Sequence, residues 1–460
     1  MLKYRQNRGF LMIFKRKIYE QMLKWKNKQI KTALLVEGAR RVGKSTVVEE
    51  FAKSEYKSYV LIDFSNVSKE INELFDDLSD LNYFFTKIQY LTHSALYTNE
   101  SVVIFDEVQL NPKARQAIKH LVKDGRYDYI ETGSLLSIKK NVEGILIPSE
   151  ETHLKMFPMD FEEFCWALGD QATPNLIRDS VKRSVAFGES VHRKLMRLFR
   201  LYMILGGMPQ AIETYLNTSN LLEVDAVKKM IINLYYEDFR KIDKSGMSSL
   251  IFREIPAQLN SNIGRYKIGS VSRDARASRI IEKIFDMKDS QVVNVAHAIS
   301  DPNVGLALSI DISRFKLFTA DTGIFTSLAF VAESNNGDDI YKRLLSDKSS
   351  ANLGYLFENM VAQILSTSNQ ELYFYTEYNK ENKHSYEVDF ILADNNKIIP
   401  IEVKSSSNSS SHKSLDTFIQ KFSNRINRAY VIHTKDMKEE GIIKYIPIYA
   451  MPFIFESSIH

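Results

Sequence analysis

The chain has 460 residues, 44% of them hydrophobic, enough to bury several cores and to set an expectation of about three domains. Sixty-one basic residues stand against 57 acidic ones, for a net charge of +4, so any nucleic-acid surface has to be a local patch and not the global balance. A single cysteine, Cys165 between Phe164 and Trp166, excludes an internal disulfide framework and a cysteine-based zinc site and reads as a buried apolar residue. The longest apolar runs, such as "SVVIF" and "IYAMPFIF", are far too short to span a membrane. The basic start "MLKYRQNRGFLMIFKRK" has no signal-peptide apolar core, so a cytoplasmic location is expected. Met12 precedes a basic helix-like run, and residues 1–11 read either as an upstream start-site extension or as part of the native chain.

The first strong element is the strand-like run Thr32–Val36, "TALLV", followed by "EGARRVGKSTVVEEF". Gly38-x-x-x-x-Gly43-Lys44-Ser45 fits a phosphate-binding loop. Its glycines let backbone N–H groups curl around phosphate, Lys44 neutralises charge, Ser45 reaches Mg²⁺, and the helix that follows adds its N-terminal dipole. Gly38, Arg40, Arg41, Val42, Gly43, Lys44, Ser45 and Thr46 form the expected nucleotide-binding set, with Asp106 added from further along. A second strand is expected at Ser58–Phe64. A third, "SVVIFDEVQ", carries Val102–Phe105 as a doubly buried parallel strand ending in Asp106 and Glu107. Asp106 is expected in the Mg²⁺ shell and Glu107 as the group that polarises the attacking water. "YDYIETGS", Tyr127–Ser134, reads as a further strand, with Ser134 or Thr132 placed to sense the γ-phosphate at its carboxyl end.

From about Leu168 to Lys244 the apolar spacing is helical. Gly206-Gly207-x-Pro209 interrupts it, as a lid over the nucleotide or as a packing turn between helices. Ile255–Val295 has the cadence of helix, turn, helix and strand, as in a winged helix. On its second helix Arg273, Arg276, Arg279 and Lys283 share a stripe beside Ala277, Ile281, Ile284 and Phe285, which either meets DNA phosphates or is simply solvated.

In the last third, "GYLFENMVAQIL", Gly354–Leu365, reads as a helix with Glu358 on an otherwise apolar pattern. Three strands follow: "ELYFYTEY", "SYEVDFIL" with Asp389, and "IIPIEVKSS" with Glu402-x-Lys404. Strand alternation puts Glu402 and Lys404 on one face, where Asp389 of the neighbouring strand can meet them. Asp389, Glu402 and Lys404 are the candidate catalytic groups, and Glu358, Asp389 and Glu402 the candidate metal ligands. Apolar flanks on both sides imply a mostly buried sheet, where an unpaired carboxylate is costly. Ser405–Ser414, "SSSNSSSHKS", reads as a loop near the site, and the nine histidines show no metal-ligand spacing.

"GARRVGKST", "VVIFDEVQ", "YIETGSLLS", "FPMDFEEF" (Phe157–Phe164) and "LGGMPQA" (Leu205–Ala211), in this order, resemble bacterial and archaeal AAA-type ATPases that carry a C-terminal domain of unknown function related to restriction-endonuclease-like nucleases. The four C-terminal residues look like a PD-(D/E)XK nuclease signature, and "KLFTADTGIF", Lys316–Phe325, resembles a segment that precedes this fold in the family, with Asp321 structural. The resemblance implies an α/β multidomain chain: a P-loop parallel sheet over residues 13–165, a helical and winged-helix-like middle over 166–300, and a restriction-endonuclease-like α/β domain over 301–460. It implies ATP and Mg²⁺ as cofactors, with Mg²⁺ or Mn²⁺ at the nuclease-like site. It also implies ATP hydrolysis coupled to action on DNA, or else an ATP-dependent switch whose nuclease-like domain binds nucleic acid or protein without cutting. In one departure, "EGILIPSEETHLKMFPMDF" has no arginine where many members have a Gly-Arg pair. That leaves Arg40, Arg41, Arg126 and Arg240 as candidates to complete the ATPase site, and monomer, dimer or ring all open.

Overall fold

The computed structural model describes residues 12–28, 31–133, 149–261, 266–267, 277–330, 341, 344–345, 354–379, 384–405 and 412–455. The chain forms two compact units, Met1–Met156 and Phe157–His460.

In the first unit, strands β1 (Ala33–Glu37), β2 (Ser58–Asp63), β3 (Ser101–Asp106), β4 (Asp128–Gly133) and β5 (Glu151–Lys155) form one sheet in the order β2-β3-β4-β1-β5, with every pair parallel. β1 and β3 are buried along their whole length, as strands covered on both faces must be, and this is why they read as continuous apolar runs. β5 was not expected: "ETHLK" is polar and only partly buried, an edge strand without an apolar signal. A core of Phe64, Phe75, Phe84, Phe85, Phe105, Tyr127 and Tyr129 packs one side of the sheet. Helix Pro112–Asp124, begun by the Asn111 cap and Pro112 and ended at Gly125 with φ 74°, contributes Ala114, Ala117, Ile118 and Leu121 to that core. Because all five strands run the same way, the loops at the carboxyl ends of β1, β3 and β4 lie along one edge, and β1 sits where the chain order reverses.

The second unit combines helices with an eight-stranded mixed sheet. Its strands are β6 (Val293–Ile299), β7 (Ile310–Thr319), β8 (Leu372–Asn379), β9 (His384–Asp394), β10 (Lys397–Val403), β11 (Ala429–His433), β12 (Lys438–Glu440) and β13 (Ile443–Pro447), in the order β12-β13-β11-β10-β9-β8-β6-β7. Helices occupy Met247–Asn260 and Ala277–Asp289, and most of the segment between them, where the turn was expected, lies outside the described residues. The strand after them, however, is β6, which lies in this large sheet between β7 and β8. Lys283 of the basic stripe is paired with Asp243 at 2.6 Å, whereas Arg279 is exposed; Arg273 and Arg276 fall outside the described residues.

The glycine motif is a packing device within this unit. A Cβ at Gly207 would stand 2.1 Å from Met159 O, and one at Gly206 would meet Asp321 Oδ1 at 2.3 Å with φ at 77°. Gly207 N donates to Asp321 Oδ2 at 2.6 Å, and Met159 N donates to Gly207 O at 2.7 Å. Asp321 also caps helix Thr322–Ala329 by accepting from Ile324 N at 2.8 Å. "FPMDFEEF", whose Asp160 and Glu163 form a capping box, therefore meets "LGGMPQA" and "ADTG" at one buried point. Among the described residues, no helix is long and apolar enough to cross a membrane.

Candidate functional site

Two constellations emerge, one in each unit. In the first, Gly38 follows β1 and lies against Met156, the residue after β5: an added Cβ would meet Met156 O at 2.3 Å, so this glycine is needed for close packing whatever the loop binds. Arg41 (φ 71°) and Gly43 (φ 97°) are both in left-handed conformations that curl the loop, and Gly43 opens helix Lys44–Glu55. Lys44 is buried, and its Nζ donates to Gly38 O and Ala39 O at 3.0 Å each. Arg16, just ahead of helix Ile18–Lys26, donates Nη1 to Val42 O at 2.8 Å. Nothing in the basic run around Arg16 pointed to this contact, because it joins segments far apart in sequence.

Although β4 separates β1 from β3, the loop and the acidic pair meet. Ser45 Oγ donates to Asp106 Oδ1 at 2.8 Å, and Thr132 Oγ1 donates to the same oxygen. Glu107 N donates to Thr132 Oγ1 at 3.3 Å, and Gln109 Nε2 donates to Glu107 Oε2. Glu107 adopts φ 53°, ψ 44°, which costs a residue with a side chain on the order of 1 kcal/mol. Of the two candidates for sensing, Thr132 touches both acids, and Ser134 falls outside the described residues. A hydroxyl and a carboxylate converging beside the loop are hard oxygen donors that fit Mg²⁺, which when bound supplies charge neutralisation at the phosphates. Arg126 precedes β4, at the opposite end of the sheet, where it is bound to Asp124 at 2.7 Å and lies over Phe85. Arg41 is exposed on the loop itself, and Arg240 is exposed on helix Leu221–Ile242 of the second unit.

A buried charge network next to this site gave no sequence signal. Arg115 bonds Glu131 at 2.8 Å and Glu151 at 2.9 Å, and His153 lies 3.3 Å from Glu151 and 3.5 Å from Glu37. Burial, reinforced by Glu151, pushes the Glu131 carboxyl well above its ordinary range despite Arg115. The Glu151 and Glu37 carboxylates raise His153 to about 9.

In the second unit, the hairpin of β9 and β10 pairs Ile401 with Phe390, which brings Glu402 towards Asp389. Helix Gly354–Thr367 supplies Glu358. Its Asn359 and Gln363 accept from Thr319 N and Thr322 N at 2.8 Å each, which clamps the turn after β7. Glu358, Glu387 and Asp389 each place a carboxylate oxygen within 4.8 Å of the others. Lys316 of β7 donates Nζ to Glu358 Oε1 at 2.7 Å and also to Glu387. Asp389 Oδ2 accepts from Val403 N at 2.7 Å, and Lys404 Nζ donates to Glu402 Oε1 at 2.6 Å. All four expected residues are thus neighbours, joined by two that were not expected. Glu387 was legible, since it lies two positions before Asp389 on the same face of a strand; Lys316 was not. Burial raises the Asp389 carboxyl well above its ordinary range, with Glu402 and Glu358 adding to the effect. Burial raises Glu402 as well, against the pull of Lys404. The donor types suit a divalent ion, but the arrangement does not: an ammonium stands among the three converging carboxylates, and one Asp389 oxygen is committed to a backbone N–H. Ser405–Ser414 lies largely outside the described residues.

Residues 31–165 match the family described as AAA domain. Residues 196–335 and 353–451 match two families described as Domain of unknown function (DUF8612) and Domain of unknown function (DUF4143). The first unit therefore carries an AAA-type ATPase domain with a P-loop parallel sheet. Among solved structures, the chain is similar to a Walker-type ATPase of Pyrococcus abyssi (16% identity, 69% of this chain and 96% of that one, TM-score 0.42). It is also similar to the ORC1 protein of Aeropyrum pernix in complex with DNA (11%, 70% and 95%, TM-score 0.29). A third is CDC6P of Pyrobaculum aerophilum (11%, 63% and 90%, TM-score 0.25). No curated protein matches the chain.

Proposed function

We propose that the chain is a cytoplasmic ATPase that binds ATP–Mg²⁺ on the Gly38–Thr46 loop and hydrolyses it, and that the nucleotide state controls a nuclease-like second unit acting on nucleic acid. The observation that carries this is the convergence of Ser45, Thr132 and the Asp106–Glu107 pair beside Lys44. Lys44 neutralises phosphate charge, Ser45 and Asp106 hold the metal, and Glu107, kept in place by Gln109 and Thr132, orients the attacking water. ATP turnover by wild type beside Lys44→Ala, with and without DNA, tests it. Turnover that survives in Lys44→Ala sinks the site assignment, and turnover indifferent to DNA sinks the coupling.

For the second unit, cutting and binding without cutting are separate readings, and one observation favours the second. The Lys316 ammonium stands among the carboxylates that a metal-dependent nuclease would turn towards its ion. Nicking of supercoiled plasmid and of branched and single-stranded oligonucleotides in Mg²⁺ or Mn²⁺, by wild type and Asp389→Ala, separates the two. No nicking by wild type that hydrolyses ATP is the expected result. Nicking abolished by Asp389→Ala would restore the cutting reading.

A further inference from the structure

Lys316 comes from none of the elements that make up the carboxylate cluster. Glu358 belongs to helix Gly354–Thr367, Glu387 and Asp389 to β9, and Glu402 to β10, whereas Lys316 enters from β7. Its side chain is only 7% exposed, its Nζ lies 5.3 Å from the centre of the Phe374 ring of β8, and it is bonded to two of the three converging carboxylates. The clamp of Asn359 and Gln363 on Thr319 and Thr322 fixes the helix that carries Glu358 against the end of β7, so donor and acceptor are positioned together. A second lysine, Lys404, is committed to Glu402. Two ammonium groups thus pair with three carboxylates, and Asp389 accepts from Val403 N, where a metal site would direct several oxygens onto one hard cation.

We propose that Lys316 is a built-in counter-ion occupying the cation position of the Glu358–Glu387–Asp389 cluster, so that the native chain holds this cluster without a divalent metal and a metal enters only when that ammonium is removed. The proposal deepens the non-cutting reading of the second unit and rests on it. An ammonium on strand β7 has the charge and the N–H donors to hold these carboxylates together, but it cannot polarise a water as a divalent ion does. Taking away its charge leaves buried carboxylates with no adequate cation, and a hard divalent ion is the chemical class that fits them.

The test counts Mn²⁺ bound per chain by electron paramagnetic resonance on nucleotide-free, full-length protein. Wild type, Asp389→Asn, Lys316→Met and the double variant are compared. Wild type and Asp389→Asn are expected to bind equal amounts, while Lys316→Met gains about one ion per chain that the double variant loses, as a carboxylate-ligated cation requires. A wild-type count that falls on Asp389→Asn overturns the proposal, and so does a folded Lys316→Met that gains nothing. Lys316→Gln, which keeps a hydrogen-bond donor but no charge, is read in the same way. If either variant fails to fold in metal-free buffer, folding restored by Mn²⁺ but not by K⁺ supports the proposal, and failure with Mn²⁺ present counts against it. Ion counts decide this inference while nicking decides the reading beneath it, so each can fail alone.

Discussion

Replacing Asp321 with alanine removes the bond that joins the "LGGMPQA" and "ADTG" motifs of the second unit. The carboxylate is buried, accepts from Gly207 N at 2.6 Å, and caps helix Thr322–Ala329 through Ile324 N at 2.8 Å. Leaving the buried Gly207 N–H without an acceptor costs about 1–3 kcal/mol. Losing the helix cap costs about 1 kcal/mol more. Part of this returns, because burial already disfavours the ionised carboxyl and raises its pKa. A net local loss of about 2 kcal/mol corresponds to roughly 30-fold faster opening. Hydrogen exchange by mass spectrometry on peptides spanning residues 203–208 and 322–326 is the assay, with β1 of the first unit as the internal reference. Exchange in both peptides within about twofold of wild type, in protein that is folded, would refute the energetic role assigned to this contact.

Glu107→Gln is expected to bind ATP with near-wild-type affinity but to lose turnover, because the side chain keeps its shape and loses its basicity; equal turnover in a single-cycle assay would remove Glu107 from the water-orienting role. Thr132→Val removes the hydroxyl shared by Asp106 and Glu107 and should lower kcat by about 10- to 100-fold while circular dichroism stays unchanged; a kcat within twofold of wild type would make that hydroxyl incidental. Arg16→Ala frees the Val42 carbonyl and should weaken nucleotide binding more than it slows turnover, read as a rise in KM for ATP; an unchanged KM would leave Arg16 a purely structural contact. His153 gains stability from its protonated form, since its pKa in the folded protein, about 9, lies above the ordinary 6.5. That contribution is complete below about pH 6.5 and is lost as the pH rises through about 9. Melting curves should therefore fall across this window in wild type and lie flat by comparison in His153→Gln, and parallel curves would contradict the assignment.

What sequence could reveal followed from how local each signal is. The glycine-rich loop after β1, Asp106 and Glu107 at the end of β3, and Glu402 on β10 with Lys404 just past its end are each set within a few residues by glycine torsions, doubly buried strands and period-two alternation. Glu387 was within reach of the same alternation. β5 escaped notice because an edge strand needs no apolar run, and the expected wing strand turned out to be a member of the large sheet, because the partner of β6 is decided by which strands lie beside it.

The amino-acid order alone thus determined the Gly38–Thr46 loop, the acids at the end of β3 and the carboxylate–lysine pair at the end of β10, since backbone torsion and side-chain alternation act between neighbours. Only the tertiary structure decided that β4 lies between β1 and β3, that Thr132 binds Asp106, that Arg16 holds the loop, and that Lys316 enters a carboxylate cluster whose Glu358 lies 42 residues away along the chain. The physical reason is that a buried charge must find its partner wherever folding brings one, and sequence separation places no limit on that pairing.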